Sequence, residues 1–380
     1  MPSSRRRFIQ TASAGAAGLA LGGCVASRAP DGPGRTVYIG TYTAGASEGI
    51  YQCRLAADGA LTLVGATPAG DNPSFLTLDA AGRVLYAVNE TVAYDGMESG
   101  SVNAFAIAPE TGRLSFLDRQ ASRGGAPCHL ALDPTGRFLV VANYVGGNVS
   151  ALPVAGGLGE AVSTVGFTGS GPDVGRQEAP HAHMALPDPA GRFVLVPDLG
   201  TDRLHVLALD TTKGGLQRVS EAALPPGAGP RHVAFREDGA HVYCLNELDS
   251  TLTAFAYAAE TGALSEVQAL STRPAGADGD NYPAHVVASP GGRRVYASNR
   301  GDDTLAVFDV DAQTGALTLV QTQPTGGRWP RHFAVDPSGR FLLAANERSD
   351  TLVTFAIEGG RLRPTGHALE VPSPVCVAFA

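Results

Sequence analysis

A chain of 380 residues, 44% hydrophobic and 17% charged, has the composition of a folded globular protein rather than a disordered or fibrous one. Its net charge is −8, and no Lys/Arg run follows the first ten residues, which argues against nucleic acid as a partner. Glycine (48) and proline (26) are frequent without a collagen-like period, so they read as turn punctuation.

The chain opens on Ser4, Arg5, Arg6, Arg7, Phe8, Ile9 and Gln10, a basic start with twin arginine. A small-residue apolar stretch follows from Thr11 to Gly23. At about 13 residues it is too short to span a bilayer core of roughly 30 Å as a helix. It reads as a twin-arginine secretory signal. Leu21-Gly22-Gly23-Cys24 resembles a bacterial lipobox, with Cys24 the residue to be cleaved before and lipidated. Residues 1–24 are therefore assigned to the signal, 25–35 to a tether and 36–380 to the folded domain. This predicts an exported, periplasmic protein whose only membrane contact is a lipidated N-terminus.

From Thr36 onward one unit repeats. It starts at a proline, found at Pro73, Pro127, Pro180, Pro230, Pro283, Pro330 and Pro374, with spacings of 54, 53, 50, 53, 47 and 44 residues. A first short strand leads into a turn such as Asp133-Pro134-Thr135-Gly136-Arg137 or Asp336-Pro337-Ser338-Gly339-Arg340. Pro presets φ and Gly accepts positive φ, so this is a tight hairpin. The second strand is nearly continuously apolar, as in Phe138–Ala142, which predicts cover on both faces. The third alternates more, as in Thr304–Val310, which fits a strand farther from the axis. Turns of the Thr261-Gly262-Ala263-Leu264 type precede the last strand. Pro374–Phe379 is a first strand with no successors, and Thr36–Thr67 is three strands with no first. The two pieces complete one blade. The prediction is an all-β, seven-bladed β-propeller of four-stranded antiparallel blades, closed by the C-terminal strand joining the N-terminal blade.

The same alignment places Cys53 and Cys376 two strand spacings apart in one blade, roughly 9.6 Å. That is beyond the about 7 Å a disulfide tolerates. Cys128 and Cys244 fall in different blades, so four buried free thiols are expected.

First strands line the channel of a propeller, so their polar residues face one cavity. His129, His183, His232, His285 and His332 recur there and read mainly as structural. The second strands end on Asn89-Glu90, Asn143-Tyr144, Asp198-Leu199, Asn246-Glu247, Asn299-Arg300 and Asn346-Glu347. The repeated Asn or Asp is expected to cap its hairpin. Residues that break the repeat are the functional candidates: His181, Arg231, Glu247, Arg300, Arg331, Glu347 and Glu90.

Ala179-Pro180-His181-Ala182-His183, Gly229-Pro230-Arg231-His232, Leu245-Asn246-Glu247-Leu248 and Ser298-Asn299-Arg300-Gly301, in this order, resemble the propeller lactonases. That family includes propeller-type 6-phosphogluconolactonases and the fungal 3-carboxymuconate lactonizing enzyme. The resemblance covers about Thr36 to Ala380. It implies a site of His183, Arg231, Glu247 and a second arginine, Arg300, with Arg331 as competitor. His181, Arg331, Glu347 and Glu90 are expected to touch substrate. The implied reaction is lactone hydrolysis by base-activated water, with Glu247 or His183 taking the proton and arginine stabilising the oxyanion.

No nucleophilic Ser elbow is present, since Gly147-Asn148-Val149-Ser150 lacks the pattern. No zinc-type histidine spacing occurs, and His181 and His183 are expected to face apart. A metal-independent, cofactor-free monomer acting on a small lactone is expected. The alternatives are a cycloisomerase of muconate-type acids and a non-enzymatic envelope-binding propeller. An exported position favours an unphosphorylated lactone.

Overall fold

The computed structural model describes residues 34–380. The signal with Cys24, and all of the tether except Gly34 and Arg35, lie outside the described residues. Arg35, the last residue assigned to the tether, already begins the first strand. Seven four-stranded antiparallel sheets make up the described chain, with a single turn of 3₁₀ helix at Glu347–Ser349. Among the described residues no helix is long and apolar enough to cross a membrane.

The first blade is composite. Pro374–Phe379 pairs antiparallel with Arg35–Thr41, matching Val37 to Phe379, Ile39 to Val377 and Gly40 to Cys376. Ile50–Leu55 and Leu61–Thr67 complete that sheet. The other six blades follow in chain order, each begun by its own inner strand. Seven apolar clusters fill the seven interfaces between adjacent blades. One joins Val140 and Val149 of the third blade to Val194 and Leu207 of the fourth. Another joins Phe341 and Leu352 of the last blade to Val37 and Tyr51 of the first.

The hairpin after each inner strand forms as its sequence dictates. The Asp133 carboxylate accepts the backbone N–H of Arg137 at 2.9 Å and of Phe138 at 2.7 Å. Gly136 takes φ 66° to close the turn. Asp336 does the same with Arg340 and Phe341. Second strands such as Phe138–Asn143 and Phe341–Asn346 are buried along their whole length, as continuous apolar runs require. Third strands are less alternating than expected: Thr304–Val310 has four consecutive buried residues, because it too lies between blades. The alternation appears one strand further out, as in Ala263–Ser271.

Two local departures shape the channel. In the third, fifth and last blades the register slips one residue just after the opening proline, so that Pro230 faces Asn246 but His232 faces Leu245. Proline offers no N–H to the ladder, and a bulge follows. The bulged residues are Cys128, Arg231 and Arg331. In the fourth blade the inner strand shrinks to Leu186–Pro187. The double-His segment therefore lies ahead of the strand rather than on it, held by a lone bridge between Ala182 and Asp198. Pro180, Pro187 and Pro197 remove three donors from this region. All four described cysteines are buried and free, as the strand spacing requires.

Ring closure rests on one pairing, so a chain ending at Ser373 is expected to lose cooperative folding. Its thermal midpoint should fall by more than about 10 °C, or the protein should aggregate through the exposed edge of Arg35–Thr41. An unchanged midpoint would show that the pairing contributes little.

Candidate active site

The channel carries two chemically distinct layers. The lower is a plug of imidazoles around Phe75, which contacts His129 at 4.3 Å, His332 at 5.5 Å and His232 at 6.3 Å between ring centroids. His285 stacks on His332 at 4.0 Å. Two of these rings bond backbone as expected: Val377 N–H donates to His332 Nδ1 and Ala185 N–H to His129 Nδ1. Two bond each other, His232 Nδ1 to His285 Nδ1 at 2.8 Å. Their tautomers follow from Arg231, which can only donate and reaches His232 Nε2 at 3.2 Å. His232 thus accepts at Nε2 and donates from Nδ1, and the His285 proton sits on Nε2.

The upper layer is charged. Glu247 follows the second strand of the fifth blade and is buried, 3% exposed. Its Oε2 faces Arg231 Nε at 2.9 Å and Arg300 Nη2 at 2.7 Å. Its Oε1 accepts a hydrogen bond from Arg176 Nη2 at 2.6 Å. Arg231 reaches this position because it is the bulged residue of its strand. It also donates to the Ala284 carbonyl. Arg300 ends the second strand of the sixth blade and donates to the Tyr282 and Pro283 carbonyls at 2.9 and 3.3 Å. Its guanidinium lies 5.5 Å from the Trp329 ring centroid.

Arg331, bulged in the last blade, builds a neighbouring group. It donates to the Tyr42 hydroxyl at 2.6 Å, and Tyr42 donates to Glu90 at 3.0 Å. Ser74 donates to the same carboxylate at 2.5 Å, and Glu347 stands 4.0 Å from Arg331 Nε. A small cavity of about 10 Å³, enough for a single water, touches both groups through Glu90, Arg231 and Arg331. A larger cavity of about 510 Å³ lies beside them, lined by loop residues including Asp249, Arg273 and Tyr282. The smaller one is where Glu90, Arg231 and Arg331 converge.

The sequence candidates thus separate. Arg231, Glu247 and Arg300 meet directly. His183 lies beside them, edge-on to Tyr144 at 5.2 Å, with Nδ1 3.6 Å from the Cys128 thiol. Arg331, Glu90 and Glu347 form the adjoining group rather than contacting Glu247. His181 sits at the rim, stacked on Tyr144 at 4.3 Å, with Glu178 at 3.2 Å. His181 and His183 do not face apart: alternate residues of an extended segment share a side, and both rings meet Tyr144. The repeated Asn residues also do more than cap hairpins. Asn89, Asn143 and Asn299 donate to carbonyls of the incoming connection at Ala69, Ser122 and Thr272.

Arg176 and Tyr42 were not legible as candidates. Arg176 lies in the connection between blades, where no repeat position marks it. The only signal is a Gly-rich insertion, Gly169–Arg176, just before the double-His motif. Among the described residues no group of three or more His, Cys, Asp or Glu side chains converges to hold a metal ion.

Burial alone would raise the Glu247 carboxyl. Arg300, then Arg231, His183 and Arg176, overcome this and hold it well below the usual carboxylate range. Burial, then Arg300 and Arg331, pushes Arg231 down to about 9, still ionised at neutral pH. Burial and then Arg231 hold His183 and His232 well below the normal imidazole value. Burial lowers His129 and His332 to about 3, with His332 and then Arg231 adding for the first and Arg231 and Arg331 for the second.

Comparison with known proteins gives a consistent result. The family model for "Lactonase, 7-bladed beta-propeller" matches residues 36–379. A 6-phosphogluconolactonase of Bacillus subtilis is 37% identical over 347 residues, spanning 90% of this chain and 97% of the relative. A 6-phosphogluconolactonase of Pectobacterium carotovorum is 34% identical, covering 73% of this chain and 79% of its own. The solved structure of a Pseudomonas aeruginosa periplasmic gluconolactonase superposes with a TM-score of 0.83 at 33% identity, covering 91% of this chain and 99% of the other.

The neutral imidazoles make stability depend on pH. His129 and His332 are harder to protonate folded than unfolded, so the unfolded chain takes up protons first as pH falls. Their contribution is complete above about pH 6.5 and is lost progressively toward about 3. Chemical denaturation at pH 7.5 and 5.0 should therefore show a clearly lower midpoint at pH 5.0. Coincident midpoints would mean that the plug is already charged or solvated.

Proposed function

The chain belongs to the seven-bladed β-propeller lactonase family, and we propose that it hydrolyses a sugar-derived lactone at the Glu247 site. The relatives named above, called lactonases acting on gluconolactone or its 6-phosphate, support the reaction class. The observation that carries the reading to these residues is one buried carboxylate facing three guanidiniums at one end of the channel.

In this reading a water oxygen bonds to the lactone carbonyl carbon, and the ring C–O bond breaks. Glu247, ionised by its arginines, accepts one water proton through Oε1. Its basicity is low, so the step leans on arginine stabilisation of the oxyanion as much as on proton abstraction. Neutral His183 stands beside it to pass that proton to the departing ring oxygen, which leaves as a hydroxyl. The new carboxylic acid ionises to solvent. Arg231 and Arg300 are fixed by backbone carbonyls before substrate arrives, so they stabilise the tetrahedral oxyanion without reorganising. Tyr42, Glu90 and Arg331 line the other side of the mouth and would bind the polyol.

We also infer export with lipid attachment at Cys24, on the twin-arginine start and the Leu21–Cys24 stretch. The name of the Pseudomonas aeruginosa relative, a periplasmic gluconolactonase, supports the compartment. Cys24→Ala should shift the expressed protein from the membrane fraction to the soluble periplasm. Equal partition of both forms would remove lipidation from the account.

Glu247→Gln keeps the shape of the side chain and deletes its charge. Its kcat on glucono-δ-lactone, corrected for spontaneous opening, should fall about 100-fold or more. Retention of the full rate would exclude Glu247 from the chemistry.

A further inference from the structure

The three guanidiniums around Glu247 are not equivalent. Arg231 and Arg300 are buried, with side chains 3% and 5% exposed, and both are tied to backbone carbonyls. Arg176 is 36% exposed. It hydrogen-bonds Glu247 Oε1 and also engages the Tyr144 phenol beside it. It is carried not by a blade but by the connection that precedes the fourth blade.

That connection is nonetheless anchored. Gln177 is fully buried and donates to the Leu199 carbonyl at 2.8 Å and to Asp202 Oδ1 at 2.7 Å. Asp173 N–H donates to the Gln177 amide oxygen at 3.2 Å, and Gln177 N–H to the Asp173 carbonyl at 2.6 Å. The Arg176 backbone is therefore fixed while its guanidinium, on the solvent side, is held by the Glu247 carboxylate and the Tyr144 phenol and by no backbone carbonyl. It is the member of the cluster that can leave without disturbing the fold.

Charge gives it somewhere to go. One carboxylate faces three cations, so the Glu247 group carries an excess of positive charge in a partly desolvated place. Such an excess is costly unless an anion joins it. Oε1, the atom Arg176 covers, is also the Glu247 oxygen that Arg231 and Arg300 leave free. With Arg176 in place Oε1 is shielded and less open to water.

We propose that Arg176 is a specificity-determining residue that caps Glu247 in the empty site and transfers to the anionic group of an incoming lactone, phosphate or carboxylate. The transfer couples recognition to chemistry. Binding of an anion at Arg176 uncovers Oε1 and removes one cation from Glu247, so the carboxylate becomes a better proton acceptor when the correct substrate is present. Phosphate and carboxylate both suit a guanidinium, which offers paired donors to either.

This inference rests on the lactonase reading, and its test separates the two. Wild type, Arg176→Ala and Arg176→Lys are compared on glucono-δ-lactone and its 6-phosphate. Arg176→Ala should raise KM for the phosphorylated lactone about 10-fold or more, the scale of a charge-assisted hydrogen bond, with a much smaller change in kcat. On the neutral lactone kcat/KM should rise, because the cap is gone. Arg176→Lys should fall between. A parallel loss on both substrates is what a structural role would give, and would overturn the proposal.

Trp329, the single tryptophan of the chain, provides a readout independent of turnover, since its ring adjoins Arg300. Titration with 6-phosphogluconate should change its fluorescence, with a dissociation constant about 10-fold weaker in Arg176→Ala. If wild type opens neither lactone, the hydrolase reading fails while this titration still judges Arg176. Equal affinities in wild type and Arg176→Ala would overturn the proposal whatever the activity.

Discussion

Seven sheets surround one axis here because the last strand of the chain pairs with the first. Pro374–Phe379 takes the inner place of a blade whose other three strands come from the opposite end of the sequence. Without it Arg35–Thr41 would expose an unpaired edge, and the apolar cluster between the last and first blades would lose Val377. With it every inner strand faces a common axis. Residues as distant in sequence as Tyr42 and Arg331 then come within 2.6 Å. The site has no local sequence origin; it is a product of closure.

A repeated scaffold explains how such a site is assembled without harm to the fold. In the first blade the second strand closes on Thr41; in the other six it closes on Asn or Asp, whose side chain ties turns or the incoming connection together. The next residue is freed from structural duty and projects at the mouth. It is Glu in three blades, Arg, Tyr and Leu in the others. The proline that opens most inner strands adds a second device. By denying the ladder a donor it is followed by a bulge, and in two blades the bulged residue is an arginine. Glu247 and Arg231 meet because both devices operate in the same blade. Arg300 joins from the next blade through the first device alone.

The fold was legible from this regularity. Proline spacing, the Asp-Pro-x-Gly-Arg turns and the incomplete terminal units determine blade number, strand count and closure together. Only the fourth blade departs, where three prolines erode the inner strand. The candidate site was legible where residues break the repeat, as at Arg231, Glu247 and Arg300, whose side chains meet. The competition between Arg300 and Arg331 could not be decided by spacing. It depends on a distance across the channel, and Arg300 rather than Arg331 contacts Glu247. Arg176 was hidden for a different reason. It belongs to a connection, so no periodic position distinguishes it from any exposed arginine until the ring brings that connection over the fifth blade.

The two layers of the channel also explain each other electrostatically. A guanidinium layer over a buried imidazole layer forbids protonation below, since each new charge would stand near Arg231 in a dry environment. The imidazoles remain neutral and act as hydrogen-bond acceptors. His232 is the joint between the layers: it accepts from Arg231 at Nε2 and donates its Nδ1–H to His285. That bond turns Arg231 toward the axis, while Glu247 holds its other edge. The plug thereby positions the charged layer, and the charged layer keeps the plug neutral. Arg176, which touches neither backbone carbonyl nor imidazole, stands outside this mutual constraint. Arg231 and Arg300 are locked in place by backbone carbonyls, whereas Arg176 is held by the carboxylate it covers and the phenol of Tyr144.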